Sequence, residues 1–425
     1  MNTTDQIISS ILNVSKSQIE SINTVSRDGK SYIYAKLKKV DVCCPVCNHP
    51  SCPSNGTYKR TIKVPKCILD NFIVILNVRR YKCPTCGYSF SESLNITPAY
   101  KTISYASIIK IMELLTNPNF TFKNVSDLTG ISESSVVRIF DKHCHIKRGR
   151  FPEVLCIDEV FTKNSSFDSK FSCIFYDFHK HKLIDVTPSR RKRYLYMYFQ
   201  KIPLKEREDV KYVCMDMYLP YKQVIRAYFK KAIICADSFH VVKHLNDDLQ
   251  KIRIRIMKSY STDSIEYYLL KHWKNLLSDR QINLDNIGKY NKKLKRVVNY
   301  RQILDLILDI HPDLSNGYLL KEKYMIFNST SNFEEAKTKI ESLIDDFVNA
   351  DIKEYEEFLT LLVNWKQEII NSFIIHNGKR INNSVAESIN SQISLLLFNT
   401  KGIRNNERRR KRIIYAINKE GFTIK

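Results

Sequence analysis

Val154-Leu155-Cys156-Ile157-Asp158 is an apolar run that ends in a carboxylate. It is too short for a helix and reads as a buried strand. Working outward, residues 171–176 and 182–186 read as further strands, and Asp177-Phe178-His179-Lys180-His181 as the hairpin turn between them. Residues 190–200 read as a basic, aromatic-rich helix. Residues 210–215 read as a strand that Asp216 follows, and residues 221–229 as a helix. Residues 232–236 read as a last strand, ending at Asp237-Ser238-Phe239-His240, which opens a long helix. Three strands followed by alternating helices and strands give a mixed sheet with helices packed on it, so the fold class is α/β.

This order fits an RNase H-like mixed-sheet core. The first and fourth strands are then neighbours, and Asp158 and Asp216 converge at one end of the sheet. A buried strand that ends in Asp must hydrogen-bond, pair or coordinate that charge. Two such carboxylates repel unless cations lie between them, and hard oxygen ligands suit Mg2+ or Mn2+. The chemistry served is phosphoryl transfer with two metals ~3.5–4 Å apart.

A third acid must come from elsewhere in the chain. Around Glu387, the residues Val385, Ile389, Ile393 and Leu396 form one helical stripe, and Glu387 lies on the other face with Asn383, Asn390 and Ser394. A solvated helix face is the alternative reading. Asp237 and His240, one helical turn apart, are candidate auxiliary ligands. The alternative is a helix-capping Asp with a solvent-facing His. Glu159 points to the opposite face of its strand from Asp158 and is secondary.

Among twelve unevenly spread cysteines two knuckles stand out, Cys44-Pro45-Val46-Cys47 and Cys83-Pro84-Thr85-Cys86. Two C-x2-C turns complete a tetrahedral zinc site, with strands expected at 61–64 and 71–81 between them. Four unmetallated thiols are the alternative. Cys43 competes with Cys44 for register, while Cys52 and Cys67 sit outside the pairs. Residues 51–100 carry seven Lys/Arg, Arg79 and Arg80 among them, against Asp70 and Glu92. A basic, metal-stapled module suits a phosphate backbone.

Residues 105–115, 122–129 and a third stretch through His143 have helical spacing. Gly130 takes a turn, Ile131 plugs a core and Ser132 caps the next helix, with Val136, Val137 and Phe140 buried. In a helix-turn-helix, Ser134, Ser135 and Arg138 face the DNA groove. An ordinary helical hairpin is the alternative.

The 425 residues carry a formal charge of +24. That excess points to a polyanion, most simply nucleic acid. Residues 1–150 hold 21 basic and 10 acidic side chains, residues 401–425 nine and two, and residues 190–201 five and none. Arg190, Arg191, Arg193, Arg408, Arg409 and Arg410 are therefore further candidate DNA contacts. No apolar run approaches the ~18–20 residues of a membrane span. The start lacks the basic region and cleavage site of a signal peptide, so a cytoplasmic protein is expected. Residues 246–370 are charged and periodic and read as an all-α insertion. Trp273 and Trp365 read as core residues.

The ordered set of motifs resembles the DDE transposases of bacterial insertion sequences, most closely the ISL3 family. The resemblance covers nearly the whole chain. It rests on the two Cys-Pro-x-Cys knuckles with Arg79-Arg80-Tyr81 before the second, on the helix-turn-helix, and on Ile157-Asp158-Glu159. It continues through Asp216-Met217-Tyr218-Leu219-Pro220-Tyr221 and Ala236-Asp237-Ser238-Phe239-His240. It closes with Asn383-Ser384-Val385-Ala386-Glu387-Ser388-Ile389-Asn390 and Gly402-Ile403-Arg404-Asn405 before a basic tail. The family's Gly-rich stretch before the Glu is here Asn377-Gly378-Lys379-Arg380, and its basic run after the Glu is replaced by residues 391–398.

The resemblance implies that Asp158, Asp216 and Glu387 bind catalytic Mg2+ or Mn2+, that Asp237 and His240 form an auxiliary signature, and that zinc is structural. It implies binding of double-stranded DNA, at terminal inverted repeats and at target, by a homodimer or larger assembly, without a membrane. The expected domains are a zinc-binding domain (1–98), a helix-turn-helix (99–150), the first part of the catalytic core (151–245), the insertion (246–370), and a C-terminal core helix with basic tail (371–425). A non-catalytic DNA-binding regulator or an inactive remnant is the rival from another class.

Overall fold

The computed structural model describes residues 9, 14–27, 30–64, 71–92, 96–98, 101–162, 169–279, 281–400 and 403–422; Cys67 and Gly402 lie outside them. The chain forms two compact units, Met1–Lys147 with Ser391–Lys425, and Arg148–Asn390.

In the first unit, strands β1 (Ile19–Arg27), β2 (Lys30–Leu37), β3 (Ser54–Lys63), β4 (Asn71–Lys82) and β5 (Ser89–Ser91) form one sheet in the order β1-β2-β4-β3, with β5 also on β4. Only β2 and β4 run parallel. Alternation builds its core: Val74, Leu76 and Val78 of β4 are buried with Ile33 and Ala35 of β2. The two knuckles therefore sit on a sheet larger than a ribbon.

Three helices follow, α1 (Tyr105–Leu114), α2 (Phe122–Thr129) and α3 (Glu133–His143). Thr121 and Asn124 make a reciprocal capping box at the start of α2, and Gly130, at φ 70°, closes it in the left-handed conformation. Ile131 is buried as expected. Ser132 occupies the N-cap of α3 but makes no capping bond, and its hydroxyl donates to Ser135 Oγ instead. Val137 is only half-buried, and Ile139 takes the inner position.

The basic C-terminus is a helix, Asn406–Asn418, built into the same core. Tyr415 packs edge-on to Phe140 at 5.7 Å between ring centroids. The Arg412 side chain is fully buried and donates to the carbonyls of Leu115, Asn117 and Phe120 at 2.7, 3.0 and 2.7 Å.

The second unit holds a five-stranded sheet of β6 (Val154–Phe161), β7 (Phe171–Asp177), β8 (Lys182–Thr187), β9 (Tyr212–Met215) and β10 (Ile233–Ala236), in the order β10-β9-β6-β7-β8. β6, β7 and β8 are antiparallel neighbours, while β9 and β10 run parallel to β6. The connecting helices are α4 (Lys192–Gln200), α5 (Leu204–Glu208) and α6 (Leu219–Tyr228), and α7 (Ser238–Lys258) follows β10. The first and fourth strands are thus adjacent, as expected.

β6 does not end at its acid. Its pairing with β9 stops at Ile157, whereas its pairing with β7 continues to Phe161. Asp158 therefore stands where β9 has turned away, at the carboxyl end of the parallel strands, where α/β sheets bind ligands.

Residues 246–370 are mostly helical, but not wholly. A hairpin, Lys289–Asn291 with Arg296–Val298, interrupts the helices. Trp365 is buried and Trp273 partly so, in one core with residues of the five-stranded sheet. No helix among the described residues is long and apolar enough to cross a membrane.

Candidate active site and zinc site

The knuckles are near copies. Cys44 N–H donates to the His49 carbonyl and Asn48 N–H to the Cys44 carbonyl, while Cys83 N–H donates to Tyr88 and Gly87 N–H to Cys83. Both turns close through a left-handed residue, Asn48 at φ 55° and Gly87 at φ 73°. They bring Cys44 Sγ to 3.6 Å from Cys86 Sγ and Cys47 Sγ to 3.5 Å from Cys83 Sγ, with all four sulfurs within 4.8 Å of one another. Four thiolates ~2.3 Å from a tetrahedral zinc stand ~3.8 Å apart, so the set fits.

Burial would raise the Cys83 thiol, but the N–H groups of Cys86 and Thr85 outweigh it and bring it down to about 6. Cys44 is lowered in the same way by Cys47 and Val46. Cys43 turns away to the Pro50 carbonyl, and Cys52 is buried beside the cluster without joining it.

The carboxylate site is built on a repeat of Cys-x-Asp. Cys156, Cys214 and Cys235 are in register across β6, β9 and β10, fully buried. Each is followed two residues on by an acid: Asp158, Asp216 and Asp237. Since side chains i and i+2 share a face of a strand, a row of thiols underlies the row of acids.

The aspartates meet at His240, in the first turn of α7. Its Nδ1 lies 3.6 Å from Asp216 Oδ1, and its Nε2 lies 3.7 Å from Asp237 Oδ2 and 4.0 Å from Asp158 Oδ1. Asp237 both caps α7, accepting from Phe239 N–H at 3.3 Å, and faces the histidine. The capping reading thus holds for Asp237, while His240 turns to the acids rather than to solvent.

Asp158 accepts from Glu159 N–H at 2.7 Å and from Asn390 Nδ2 at 2.9 Å. Asp216 accepts from Met217 N–H at 2.6 Å. Burial pushes the Asp158 carboxyl up to about 6, against the Glu159 N–H and His240, which favour the ionised form; Asp237 and Asp216 add to the rise. Asp237 is raised too, again by burial first.

Glu387 stands apart from this group. It is exposed on the helix Ser384–Asn399, one turn before Asn390 and on the same face. Among the described residues, the four cysteines are the one set of three or more potential ligands whose atoms all lie within 4.8 Å. The helix start is fixed to the sheet by Asn383, whose N–H donates to Asp237 Oδ1 and whose Nδ2 donates to the Ile157 carbonyl, each at 3.2 Å. Asn383 and Asn390 are the site residues that composition and periodicity missed. Their one sequence signal is that they share Glu387's helical face.

The basic candidates divide. Arg79 is buried, 2.9 Å from Glu20 and 3.5 Å from Glu92, whereas Arg80 is exposed over the Tyr58 ring. Ser134 and Arg138 are exposed on α3 and Ser135 is half-buried. Arg190 pairs with Glu159 and lies over the rings of Phe171 and Tyr218, while Arg191 and Arg193 are exposed. Arg408 pairs with Asp141 at 2.6 Å, Arg409 is buried on the Ile403 carbonyl, and Arg410 reaches the Ile146 carbonyl. The latter three thus each make a contact within the first unit, and of them only Arg409 is buried.

Residues 155–413 match the transposase family of the ISL3 type, and the chain belongs to that family. No curated protein matches the chain.

Proposed function

We propose that the protein cuts and joins DNA ends, using Asp158, Asp216 and Glu387 to hold divalent cations. The observation that carries this reading is the convergence of Asp158 and Asp216 at one end of the sheet, with the Glu387 helix tied to Asp158 through Asn390. The donor set suits the role. It offers hard carboxylate oxygens, one of them so buried that its ionised form is disfavoured without a cation. Mg2+ or Mn2+, when bound, lowers the pKa of a nucleophilic hydroxyl and stabilises the leaving oxygen.

The chain's own groups then act as follows. Asp158 and Asp216 anchor the site, the Glu387 helix closes on it from one side, and His240 sits among the acids, facing Asp216 with one ring nitrogen and Asp158 and Asp237 with the other. In the first step water attacks phosphorus at the element's end, the bond to O3′ breaks, and that oxygen leaves with a proton as a 3′-hydroxyl. In the second step this hydroxyl attacks a target phosphodiester and displaces the target's O3′. One ester is exchanged for another, so no external energy source enters.

End recognition falls to the first unit. The zinc module contributes Arg80, and α3 contributes Ser134, Ser135 and Arg138 to a groove of double-stranded terminal-repeat DNA. Arg191 and Arg193 supply phosphate contacts beside the acid-bearing sheet. A homodimer or larger assembly holds two ends.

The test is Asp158→Asn on a terminal-repeat duplex with Mg2+ or Mn2+. Specific binding should persist and strand cleavage should disappear. Wild-type protein that binds repeats but never nicks them with either metal would leave the non-catalytic regulator.

A further inference from the structure

The Glu387 helix and the residue just before it carry two side-chain amides whose nitrogen ends are committed and whose oxygens are not. Asn390 Nδ2 is held by Asp158 Oδ2 and Asn383 Nδ2 by the Ile157 carbonyl. The Oδ1 atoms of both are buried without a hydrogen-bond partner among the described residues. A buried acceptor left alone costs ~1–3 kcal/mol, and folded proteins leave few of them.

For Asn390 the fixed end decides where the lone oxygen lies. Turning the amide over would set Oδ1 against a carboxylate that, when ionised, only accepts. With Nδ2 on Asp158, Oδ1 is therefore the adjacent atom of a planar group beside that carboxylate. An amide carbonyl is a hard oxygen donor of the kind found in Ca2+ and Mg2+ shells. The Asn383 amide is anchored to main chain rather than to an acid, so its fixed end does not set its oxygen beside a carboxylate in the same way.

We propose that Asn390 Oδ1 supplies an oxygen ligand to the divalent cation held at Asp158. The inference rests on the cation site of the proposed function and adds a neutral donor to it. Asn390 then has two jobs: its N–H orients Asp158, and its carbonyl completes the shell. An amide adds a ligand without adding a fourth negative charge to a site already crowded with acids.

The experiment measures Mn2+ binding, by titration calorimetry and by the loss of the free-ion paramagnetic resonance signal, on full-length zinc-loaded protein without DNA. It compares wild type with Asp158→Asn, Asn390→Leu and Asn390→Asp. Asn390→Leu keeps the shape and removes both polar atoms, and affinity should fall roughly 10–100-fold. Asn390→Asp keeps the oxygen and loses the N–H, and its affinity should stay at or above wild type. A role limited to orienting Asp158 predicts the reverse order, because the new carboxylate would repel the old one.

Melting curves in Mn2+-free buffer establish that each variant is folded. If the leucine variant is not, Asn390→Ala takes its place beside Asn390→Asp. Binding by Asn390→Leu at the wild-type level, or by Asn390→Asp as weakly as by Asn390→Leu, overturns the proposal while Asp158→Asn still tests the site. A wild type without any Mn2+ site sensitive to Asp158→Asn overturns both readings.

Discussion

His240 Nδ1 faces Asp216 Oδ1 at 3.6 Å, and the opposite edge of the same ring faces Asp158 and Asp237. One imidazole thus faces acids carried by three adjacent strands, Asp158 within β6 and the other two just past the ends of β9 and β10. Groups that orient metal ligands from behind typically change affinity or activity 10–100-fold when removed. His240→Ala should therefore slow single-turnover cleavage of a terminal-repeat duplex by roughly 10–100-fold, with little change in a gel-shift affinity for the same duplex. Cleavage at the wild-type rate would reduce His240 to packing.

Asp158 makes the metal-free fold less stable at neutral pH. Its carboxyl ionises near 6 in the fold, against an ordinary value of 3.8. The proton is held more tightly folded than unfolded, so this stability is full below about pH 4, is lost as pH rises to about 6, and is flat above that. Two pH units correspond to about 3 kcal/mol. In buffer without Mg2+, Asp158→Asn should melt higher than wild type above pH 7, and the gap should close toward pH 4. Added Mg2+ should raise the wild-type melting temperature and leave the variant's nearly unchanged.

The four-cysteine cluster predicts one tightly held zinc per chain by metal analysis. Cys83→Ser removes a thiolate whose ionised form is favoured by two knuckle N–H groups. Structural zinc contributes ~10–16 kcal/mol in small modules, so its loss should unfold the knuckle end of the sheet and abolish specific end binding. A metal-free wild type that still binds ends would sink the zinc assignment.

Arg412 is a second structural prediction. Burial pulls its guanidinium down to about 10, still charged at neutral pH, and it satisfies three carbonyls at the turn between α1 and α2. Arg412→Met should destabilise that helical module by at least ~3 kcal/mol, since the carbonyls lose their partner. Urea unfolding followed by hydrogen exchange in α1–α3 would measure it. An unchanged midpoint would mean that water replaces the side chain.

What the sequence disclosed follows from pattern strength. Short apolar runs ending in acids located β6, β9 and Asp158, Asp216 and Asp237, because such runs have few alternatives. β1 and β2 were hidden, although Ile33 and Ala35 alternate with Tyr32 and Tyr34 in burial, because an aromatic on the outer face erases the contrast of a period-two pattern. The C-terminal arginines read as DNA contacts because a run of like charge looks solvent-facing. Arg412, in the same tail, lies buried against a turn 297 positions earlier, a pairing that no local period encodes. The bond from Asn390 to Asp158 likewise spans 232 positions. Glu387's helical face could be read locally, but its relation to the acids depends on that distant bond.

The thiol row beneath the acids gives the protein a gauge of its own breathing. Cys156, Cys214 and Cys235 are sealed from solvent in the closed sheet. An alkylating reagent can reach them only when the segments over them move, the Asn382 segment at Cys156 or the Asn371 segment at Cys235. The rate at which they are labelled in the native state therefore counts those openings directly, and needs no engineered probe. Anything that clamps the acid end, whether a cation or a DNA terminus, would register as slower labelling of side chains it never touches.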